Sequence, residues 1–257
     1  MLPGSKVFTL PRSLIQQLEK TTYPVPVVLD ACWVNSLAII RDLAAHGLRS
    51  LALTYTPRGV GIYSRHAWGA VIPNPEKDEQ GFVDALLALG RVLPRRGVLC
   101  VTDDLSLMSL ARHRAELEPY YIFNFPEYAR LETILDKVEQ LAAAGRCGVP
   151  VPHTAVLEPG GALPAWPPDA FPAIVKGRSG KGFNREAGLQ VLVVKNPAEL
   201  ETTCRRYQHH GLLIQEIIPG GDENLYSLGS VIARDNRALV ASWKAEFDAD
   251  AAAAHAA

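Results

Sequence analysis

Two short segments carry residues whose types and spacing suit the binding of a polyphosphate and of a nucleoside. The first, PAIVKGRSGKGF, reads as an apolar strand that ends on Lys176 and is followed by a loop rich in glycine and cations. An ammonium group and the accessible N–H groups of such a loop can bind phosphate oxygens. In the second, LLIQEIIPGGDEN, an apolar strand ends on Gln215 and Glu216, and Glu223 follows after a turn. A strand end offers backbone groups to a purine, and a carboxylate can accept both ribose hydroxyls. Together the segments predict a nucleotide clamp.

Each residue also has an ordinary structural explanation. A lysine at a strand end is often a solvated edge charge, a glycine-rich loop is often a flexible connection, and Glu223 alone is typical of a solvated turn. The clamp is favoured because the two segments follow one another with a capped helix between them. The loop is not a Walker A loop, because the spacing GxxxxGK(S/T) is absent and Phe183 is not expected to open a helix. The glycines of the loop free the backbone, and its cations are expected to add positive charge. The glycines are Gly177, Gly180 and Gly182, and the cations are Arg178 and Lys181.

The first part of the chain alternates strand-like and helix-like segments. Continuously apolar runs such as VVLD and VLCV suit strands that are buried on both faces, and FVDALLALGRVL has the spacing of an amphipathic helix. This alternation predicts an open parallel sheet with helices on both sides. No GxGxxG follows the first strand, where the sequence reads DACW, so binding of a dinucleotide by this part alone is a weaker alternative. Thr102, Asp103 and Asp104 follow a predicted strand and could contact a substrate, but Asp104 as a helix cap is favoured.

The second part mixes strands with helices and predicts an α+β module. LETILDKVEQLAAAG reads as one helix, and Asn196, Pro197 and Glu199 predict the capped start of another that runs to about His210. A turn is expected at residues 234–237 between two late strands. We therefore predict an α/β protein with an N-terminal open parallel-sheet domain at residues 1–130, an α+β module at 131–247 and a low-complexity tail at 248–257.

Composition and charge exclude several classes. A net charge of −1 gives no basic field for nucleic acid, and no apolar run reaches membrane-spanning length. The four cysteines are isolated from one another, so neither a zinc site nor a disulfide framework is indicated, and a reducing cytoplasm is expected. His209 and His210 end a predicted helix, where they favour the helix dipole, and a metal role is not expected. Oligomeric state is left open.

Three segments of the second part resemble the ATP-grasp family, in particular the branch of carbamoyl-phosphate synthase and D-aspartate ligase-like carboxylate–amine ligases. They are LDKVEQLAAAGRCGVPVPHT, FPAIVKGRSGKGF and LIQEIIPGGDENLYSLGSVI. The resemblance implies a Rossmann-like pre-ATP-grasp domain before an ATP-grasp domain that is incomplete here. It implies that Lys137 and Lys176 contact the phosphates or adenine edge of ATP, that the glycine loop with Gly180 and Gly182 closes over the phosphates, and that adenine and ribose contact Gln215, Glu216, Ile218 and Glu223.

The same resemblance implies a reaction. ATP, with Mg²⁺, would activate a small-molecule carboxylate as an acyl phosphate, and an amine would then displace phosphate. Relatives hold magnesium through acidic residues and an asparagine beyond the ribose-binding acid. Here Glu246 and Asp248 are the only late acids with neighbouring strand context, and neither comes with the ExN pattern. No metal ligand and no catalytic residue is therefore assigned. The alternative is a non-catalytic nucleotide-binding or regulatory module without the metal-binding half.

Overall fold

In a computed structural model, which describes residues 10–178, 181–233, 235 and 237–245, the apolar strands of the first part form one parallel sheet. The chain divides into two compact units between Ile134 and Leu135, against a predicted boundary after residue 130. The strand order of the first unit is β3-β2-β1-β4-β5, and every neighbouring pair is parallel. The strands are β1 Pro26–Val28, β2 Ser50–Thr54, β3 Ala67–Val71, β4 Gly97–Cys100 and β5 Tyr121–Ile122.

Helical segments connect the strands, with a 3₁₀ turn at Val60–Tyr63 between β2 and β3 and α-helices in the other three connections. Alternate residues of β1 and β2 belong to two different core clusters, with Val27 and Leu51 in one and Val28 and Ala52 in the other. Because successive side chains of a strand point to opposite faces, both faces of the sheet are covered. The helices are α1 Arg12–Leu18, α2 Val34–Ala45, α3 Glu79–Val92, α4 Asp104–Arg112, α5 Arg114–Leu117 and α6 Tyr128–Leu135.

Local details of the first unit differ from the sequence prediction. Asp103, not Asp104, caps α4, since its side chain accepts a hydrogen bond from the N–H of Ser106 at 2.9 Å. The helical segment LSLMSLARHRAELEPY is interrupted at His113, which separates α4 from α5. Strand β5 was not predicted, because two residues are too short for a periodic pattern.

The second unit is built on an antiparallel sheet with the strand order β6-β9-β7-β8. Its strands are β6 Thr154–Leu157, β7 Ala173–Gly177, β8 Leu192–Val194 and β9 Leu212–Glu216, and its helices are α7 Lys137–Arg146, α8 Lys181–Ala187 and α9 Pro197–Tyr207. A separate antiparallel hairpin follows, formed by β10 Tyr226–Ile232 and β11 Ala238–Ala245. The predicted fold class, an α/β parallel-sheet domain followed by an α+β module, is confirmed.

Helix α9 starts as its sequence predicts. The Asn196 side chain accepts a hydrogen bond from the N–H of Glu199 at 2.9 Å, Pro197 is the first helical residue, and the Glu199 carboxylate accepts from the N–H of Lys195 at 2.9 Å. The helix ends at Tyr207, and a 3₁₀ turn, Gln208–His210, continues to the predicted end.

The single helix predicted for LETILDKVEQLAAAG is in fact two, α6 and α7. They are separated at Asp136, whose side chain caps α7 by accepting from the N–H of Val138 at 2.8 Å. Two members of the turn predicted at 234–237, Arg234 and Asn236, lie outside the described residues, as do Glu246, Asp248 and the tail at 248–257. Across the described ranges, no helix combines the length and the apolar character needed to cross a bilayer.

Candidate functional site

Strand β7 presents Lys176 on the sheet face that lies opposite the core of the second unit. Ala173, Val175 and Gly177 are buried, whereas Ile174 and Lys176 are half-buried. The alternation follows from strand geometry, since Ala173 and Val175 belong to the core cluster beneath the sheet. The ammonium group of Lys176 is therefore carried on a partly buried stem at the end of a central strand.

Gln215 on the adjacent strand β9 holds that ammonium group. It pairs directly with Ile174 and so lies diagonally across from Lys176, within the reach of a long side chain. Nζ of Lys176 donates to Oε1 of Gln215 at 2.8 Å. Nε2 of Gln215 donates to Oγ1 of Thr154 at 2.8 Å, and Thr154 donates to the carbonyl of Pro152 at 2.8 Å. Both ends of the Gln215 amide are thus bonded, which fixes its orientation in a nearly buried position.

Lys137 brings a second ammonium group to the same strand end. It is the first residue of α7, and its Nζ donates to the carbonyl oxygen of Gly177 at 3.0 Å. Burial, and then the positive charge of Lys137, lower the pKa of Lys176 below its usual value. Within the described part of the chain, neither ammonium group forms an ion pair with a carboxylate. Two positive charges therefore lie close together, and the hydrogen-bond partners described for them are neutral oxygen atoms. This arrangement favours a bound anion.

Arg178 does not add its charge to this pair, contrary to the sequence expectation. Its Nε and Nη2 donate to Oδ2 of Asp136 at 2.9 and 2.7 Å, and Nη1 donates to Glu158 at 2.8 Å. The hydrogen bonds from Arg178 lower the pKa of Asp136. Arg178 therefore links the start of α7 to the end of β7. This link holds Lys137, the first residue of α7, in position.

The glycine-rich segment after Lys176 contains a helix that the sequence did not predict. Gly182 and Phe183 lie in α8, and Phe183 is buried against Tyr207 of α9, with ring centroids 5.3 Å apart. The expectation that Phe183 does not open a helix is wrong, because its burial in the core offsets the poor helix propensity of the glycines around it. Gly180 lies outside the described residues.

The residues proposed for adenine and ribose follow on β9 and beyond it. Glu216 ends the strand, and its backbone N–H and side-chain Oε1 are both bonded to the main chain of His153, at 3.0 and 2.6 Å. Ile218 is 62% exposed, so its side chain is free to contact an apolar ring. Glu223 is exposed in a 3₁₀ turn and accepts from Asn224 at 3.3 Å. Among the described contacts, none joins Glu223 to the two lysines.

The structure thus brings together Lys137, Lys176 and Gln215, with Glu216 next along the strand. Sequence reasoning missed Thr154 and the pair formed by Asp136 and Arg178. Thr154 lies opposite Gln215 in the antiparallel register, so a correct strand pairing would have indicated it. Asp136 and Arg178 are 42 residues apart and carry no local signal.

Comparison with known proteins decides the fold to which this arrangement belongs. No family model matches the chain. A D-aspartate ligase from Enterococcus faecium strain Aus0004 is 22% identical over 190 residues, which are 68% of this chain and 45% of that protein. The crystal structure of an L-amino acid ligase from Bacillus licheniformis matches with a TM-score of 0.63 and 14% identity, over 89% of this chain and 52% of that chain. The chain has the ATP-grasp fold.

A third protein that matches this chain was crystallised with a nucleotide. The biotin carboxylase of Campylobacter jejuni, crystallised as a β,γ-ATP complex, matches with a TM-score of 0.55 and 15% identity, over 76% of this chain and 45% of that chain. The chain spans about half the length of the proteins it matches.

The two cofactors implied by the ATP-grasp fold differ in how well they fit the described residues. The paired ammonium groups of Lys137 and Lys176 suit a polyphosphate. Magnesium prefers six oxygen ligands. Within the described ranges, the group of three side chains placed to share a cation is Glu186, His209 and His210, which offers two nitrogen atoms and one carboxylate. That set does not suit magnesium, and no magnesium ligand is assigned to it.

Proposed function

We propose that this chain is the ATP-binding part of a ligase that uses ATP to join a small-molecule carboxylate to an amine. The observation that carries the proposal is the pair of ammonium groups of Lys137 and Lys176 at the end of β7, which is followed by α8 with Gly182. Two cations held together without a recorded carboxylate partner are stabilised when a polyanion binds between them. A triphosphate has the charge and the length to contact both.

The matched proteins support the choice of reaction. Two of them are named as ligases, one for D-aspartate and one for L-amino acids, and the third was crystallised with an ATP analogue. We extend to this chain ligation, from the names of the first two, and ATP binding, from the complex of the third.

The proposed chemistry has two steps. A carboxylate oxygen of the substrate attacks the γ-phosphorus of ATP, the bond to the β,γ-bridging oxygen breaks, and an acyl phosphate and ADP result. The amine then attacks the acyl carbon, phosphate leaves, and the amine loses a proton as the amide forms. Phosphoryl transfer requires mainly positioning and charge neutralisation from the protein. Lys137 and Lys176 would supply part of that neutralisation, and Gln215 would orient Lys176.

We propose roles for the remaining site residues as well. The N–H of Glu216 is already bonded to His153, so an N–H donor to adenine would come from a residue after it, with the exposed Ile218 against the ring. Glu223 would accept hydrogen bonds from the ribose hydroxyls. Gly180 and Gly182 would let the backbone approach the phosphates.

One observation favours a second candidate, a nucleotide-binding or regulatory module without ligase activity. Among the described residues, the group of three acidic, histidine or cysteine side chains placed to share a cation contains two imidazoles and one carboxylate, which does not suit magnesium. Phosphoryl transfer by proteins commonly depends on such a metal. Binding of ATP and turnover of ATP must therefore be measured separately.

The test is a calorimetric titration of the purified chain with a non-hydrolysable ATP analogue and with NAD, each with and without Mg²⁺. An ADP-release assay is run in parallel with mixtures of carboxylates and amines. We expect the ATP analogue to bind and NAD not to bind. ADP release that depends on both a carboxylate and an amine supports the ligase, whereas ATP binding without any ADP release supports the binding module. Absence of ATP binding, or a preference for NAD, overturns the proposal.

A further inference from the structure

Three metal-ligating side chains from two helical segments of the second unit converge at one point. Glu186 lies in the last turn of α8, and His209 and His210 form the end of the 3₁₀ turn after α9. Nε2 of His209 lies 2.9 Å and Nε2 of His210 lies 2.8 Å from the same carboxylate oxygen, Oε2 of Glu186. All three potential ligand atoms lie within 4.8 Å of one another.

The chemistry of this donor set is that of a transition-metal site. Two imidazole nitrogens and one carboxylate oxygen form a ligand set typical of zinc sites in which a water molecule completes the tetrahedron. With metal–ligand distances of about 2.0–2.1 Å, neighbouring ligand atoms of a tetrahedral zinc ion are separated by about 3.3 Å. The histidine nitrogen atoms now lie 2.8 and 2.9 Å from the Glu186 oxygen. These distances therefore need to lengthen only slightly for a metal ion to replace the two hydrogen bonds.

The surroundings keep the ligands accessible while restraining one of them. The side chains of Glu186 and His209 are 42% and 57% exposed, which leaves room for an ion with its water molecules, and His210 is 18% exposed. The His210 ring packs edge-on against Phe183, with centroids 6.3 Å apart, and a Cβ at Gly182 would lie 3.0 Å from its Nδ1. His210 is thus held against α8, the helix that carries Glu186.

We propose that Glu186, His209 and His210 form a binding site for a divalent transition-metal ion, with Zn²⁺ as the expected occupant. This inference is independent of the proposed ATP-dependent function, and none of its three ligands is assigned to ATP; only Gly182, which packs against His210, borders both sites. An ion at this site would link the C-terminal turn of α8 to the end of α9. The two nitrogen ligands select against magnesium, which prefers oxygen. The expectation from sequence that the two histidines serve only the helix dipole did not include Glu186, more than twenty residues away.

The test is metal binding by the full chain after removal of any histidine tag. Cys147 is exposed and its thiol could bind zinc elsewhere, so all variants are made in a Cys147→Ser background. Zn²⁺ is titrated by calorimetry, and Co²⁺ is titrated by visible absorption, which reports a tetrahedral site. We expect one equivalent of each ion to bind. Glu186→Gln and His210→Asn should each weaken Zn²⁺ binding by at least the roughly 10- to 100-fold that loss of a ligand's hydrogen-bond partner costs in metal proteins.

The matched control is His46→Asn, which removes an exposed histidine of the first unit and should leave Zn²⁺ affinity unchanged. A second readout separates binding from misfolding: Zn²⁺ should raise the melting temperature of the parent and of the control, but not that of a folded Glu186→Gln variant. Wild-type Zn²⁺ affinity in both ligand variants, equal affinity for Mg²⁺ and Zn²⁺, or no metal binding at all would each overturn the proposal. In the last case the cluster is only a carboxylate hydrogen-bonded to two imidazoles.

Discussion

At the scale of single residues, the position of Lys176 depends on strand register. The residue shares a sheet face with Gln215 only because Ile174 pairs with Gln215 and Lys176 with Leu213. A shift of one residue would move Lys176 into the core and Val175 out of it. The burial of Val175 within the core therefore specifies where the ammonium group lies.

Replacing Lys176 tests its proposed contact with phosphate. Lys176→Met keeps the apolar stem and removes the charge, and it should weaken binding of the ATP analogue by about 10- to 100-fold, the loss of one charge-assisted hydrogen bond. The melting temperature should change little. The matched control is Lys195→Met, an exposed lysine of the same unit. Titration calorimetry measures both variants, and equal affinity in Lys176→Met and wild type would contradict the assignment.

The ion pair of Asp136 with Arg178 predicts a pH dependence of stability. Arg178 lowers the folded-state pKa of Asp136, so the pair stabilises the fold above the unfolded-state pKa and loses this effect as pH falls through the lower folded-state pKa. Asp136→Asn preserves a helix-capping side chain but does not titrate. The difference in unfolding free energy between wild type and Asp136→Asn should therefore be largest near pH 7 and shrink below about pH 4.

Urea unfolding at several pH values measures that difference. Because the Asp136 side chain is 24% exposed, the effect should also diminish in high salt. Glu201→Gln removes an exposed pair with Arg205 and should change stability by less than about 1 kcal/mol. A difference between wild type and Asp136→Asn that stays constant from pH 7 to pH 3 would show that the pair is not the cause.

At the scale of elements, α8 shows how tertiary contacts override local preference. Its sequence, KGFNREA, contains a glycine and follows another, and such a short helix is marginal by itself. Phe183 is 1% exposed and belongs to the same core cluster as Tyr207 and Leu200 of α9. Burial of this one ring against α9 accounts for a helix where the sequence indicated a loop.

Truncation of Phe183 should therefore destabilise the second unit. Phe183→Ala should lower the free energy of unfolding by about 3–5 kcal/mol, as loss of a buried aromatic ring commonly does. Phe183→Leu fills most of the space and should cost less than about 1.5 kcal/mol. Chemical denaturation followed by circular dichroism compares the two. Equal stability of Phe183→Ala and Phe183→Leu would show that the ring does not hold α8.

Elements specified by neighbouring residues were mostly predictable from sequence, and contacts between distant residues were not. Helix α9 begins where predicted because Asn196, Pro197 and Glu199 form its cap among themselves. The break between α6 and α7 was missed although its cap is local, since Asp136 accepts from the N–H of Val138; the ion pair of Asp136 with Arg178, far along the chain, had no signal in the sequence. Apolar runs predicted the central strands β1, β4 and β9. The residues of β1 and β9 are almost all buried, and those of β4 alternate between buried and half-buried.

At the scale of the whole molecule, each unit has a hydrophobic core of its own. The core of the first unit is centred on residues of its sheet and of α3, including Val27, Leu53, Phe82 and Leu86. The core of the second unit contains residues from all four strands of its antiparallel sheet and from α8 and α9. Independent cores are what allow domains to fold separately.

The first unit alone should therefore fold. A fragment of residues 1–134 should show a cooperative unfolding transition in urea, measured by circular dichroism and by tryptophan fluorescence. Phe82→Asp in that fragment places an unpaired charge in the core and should abolish the transition. A gradual, non-cooperative loss of signal from the unsubstituted fragment would mean that its core is not sufficient.

The site was partly predictable at this scale. The order of Lys176, Gln215 and Glu216 along apolar strands indicated which side chains could converge, and the structure places the first two in contact. Lys137 entered only through family resemblance, because nothing near it in sequence indicates a contact with Gly177. Thr154 required the pairing of β6 with β9, which single-sequence patterns do not specify.

The residue that holds Lys176 is an amide, and this choice has a consequence. Glutamate would fit the same space, but its negative charge would cancel that of Lys176 and leave the hydroxyl of Thr154 without the donor it now accepts from. Glutamine holds the ammonium group of Lys176 in place without neutralising it, so the full charge remains available to a bound anion. At position 215, a smaller side chain should therefore impair anion binding less than a negatively charged one. Gln215→Glu would form a salt bridge with Lys176, and the lysine charge would no longer be available to a bound anion.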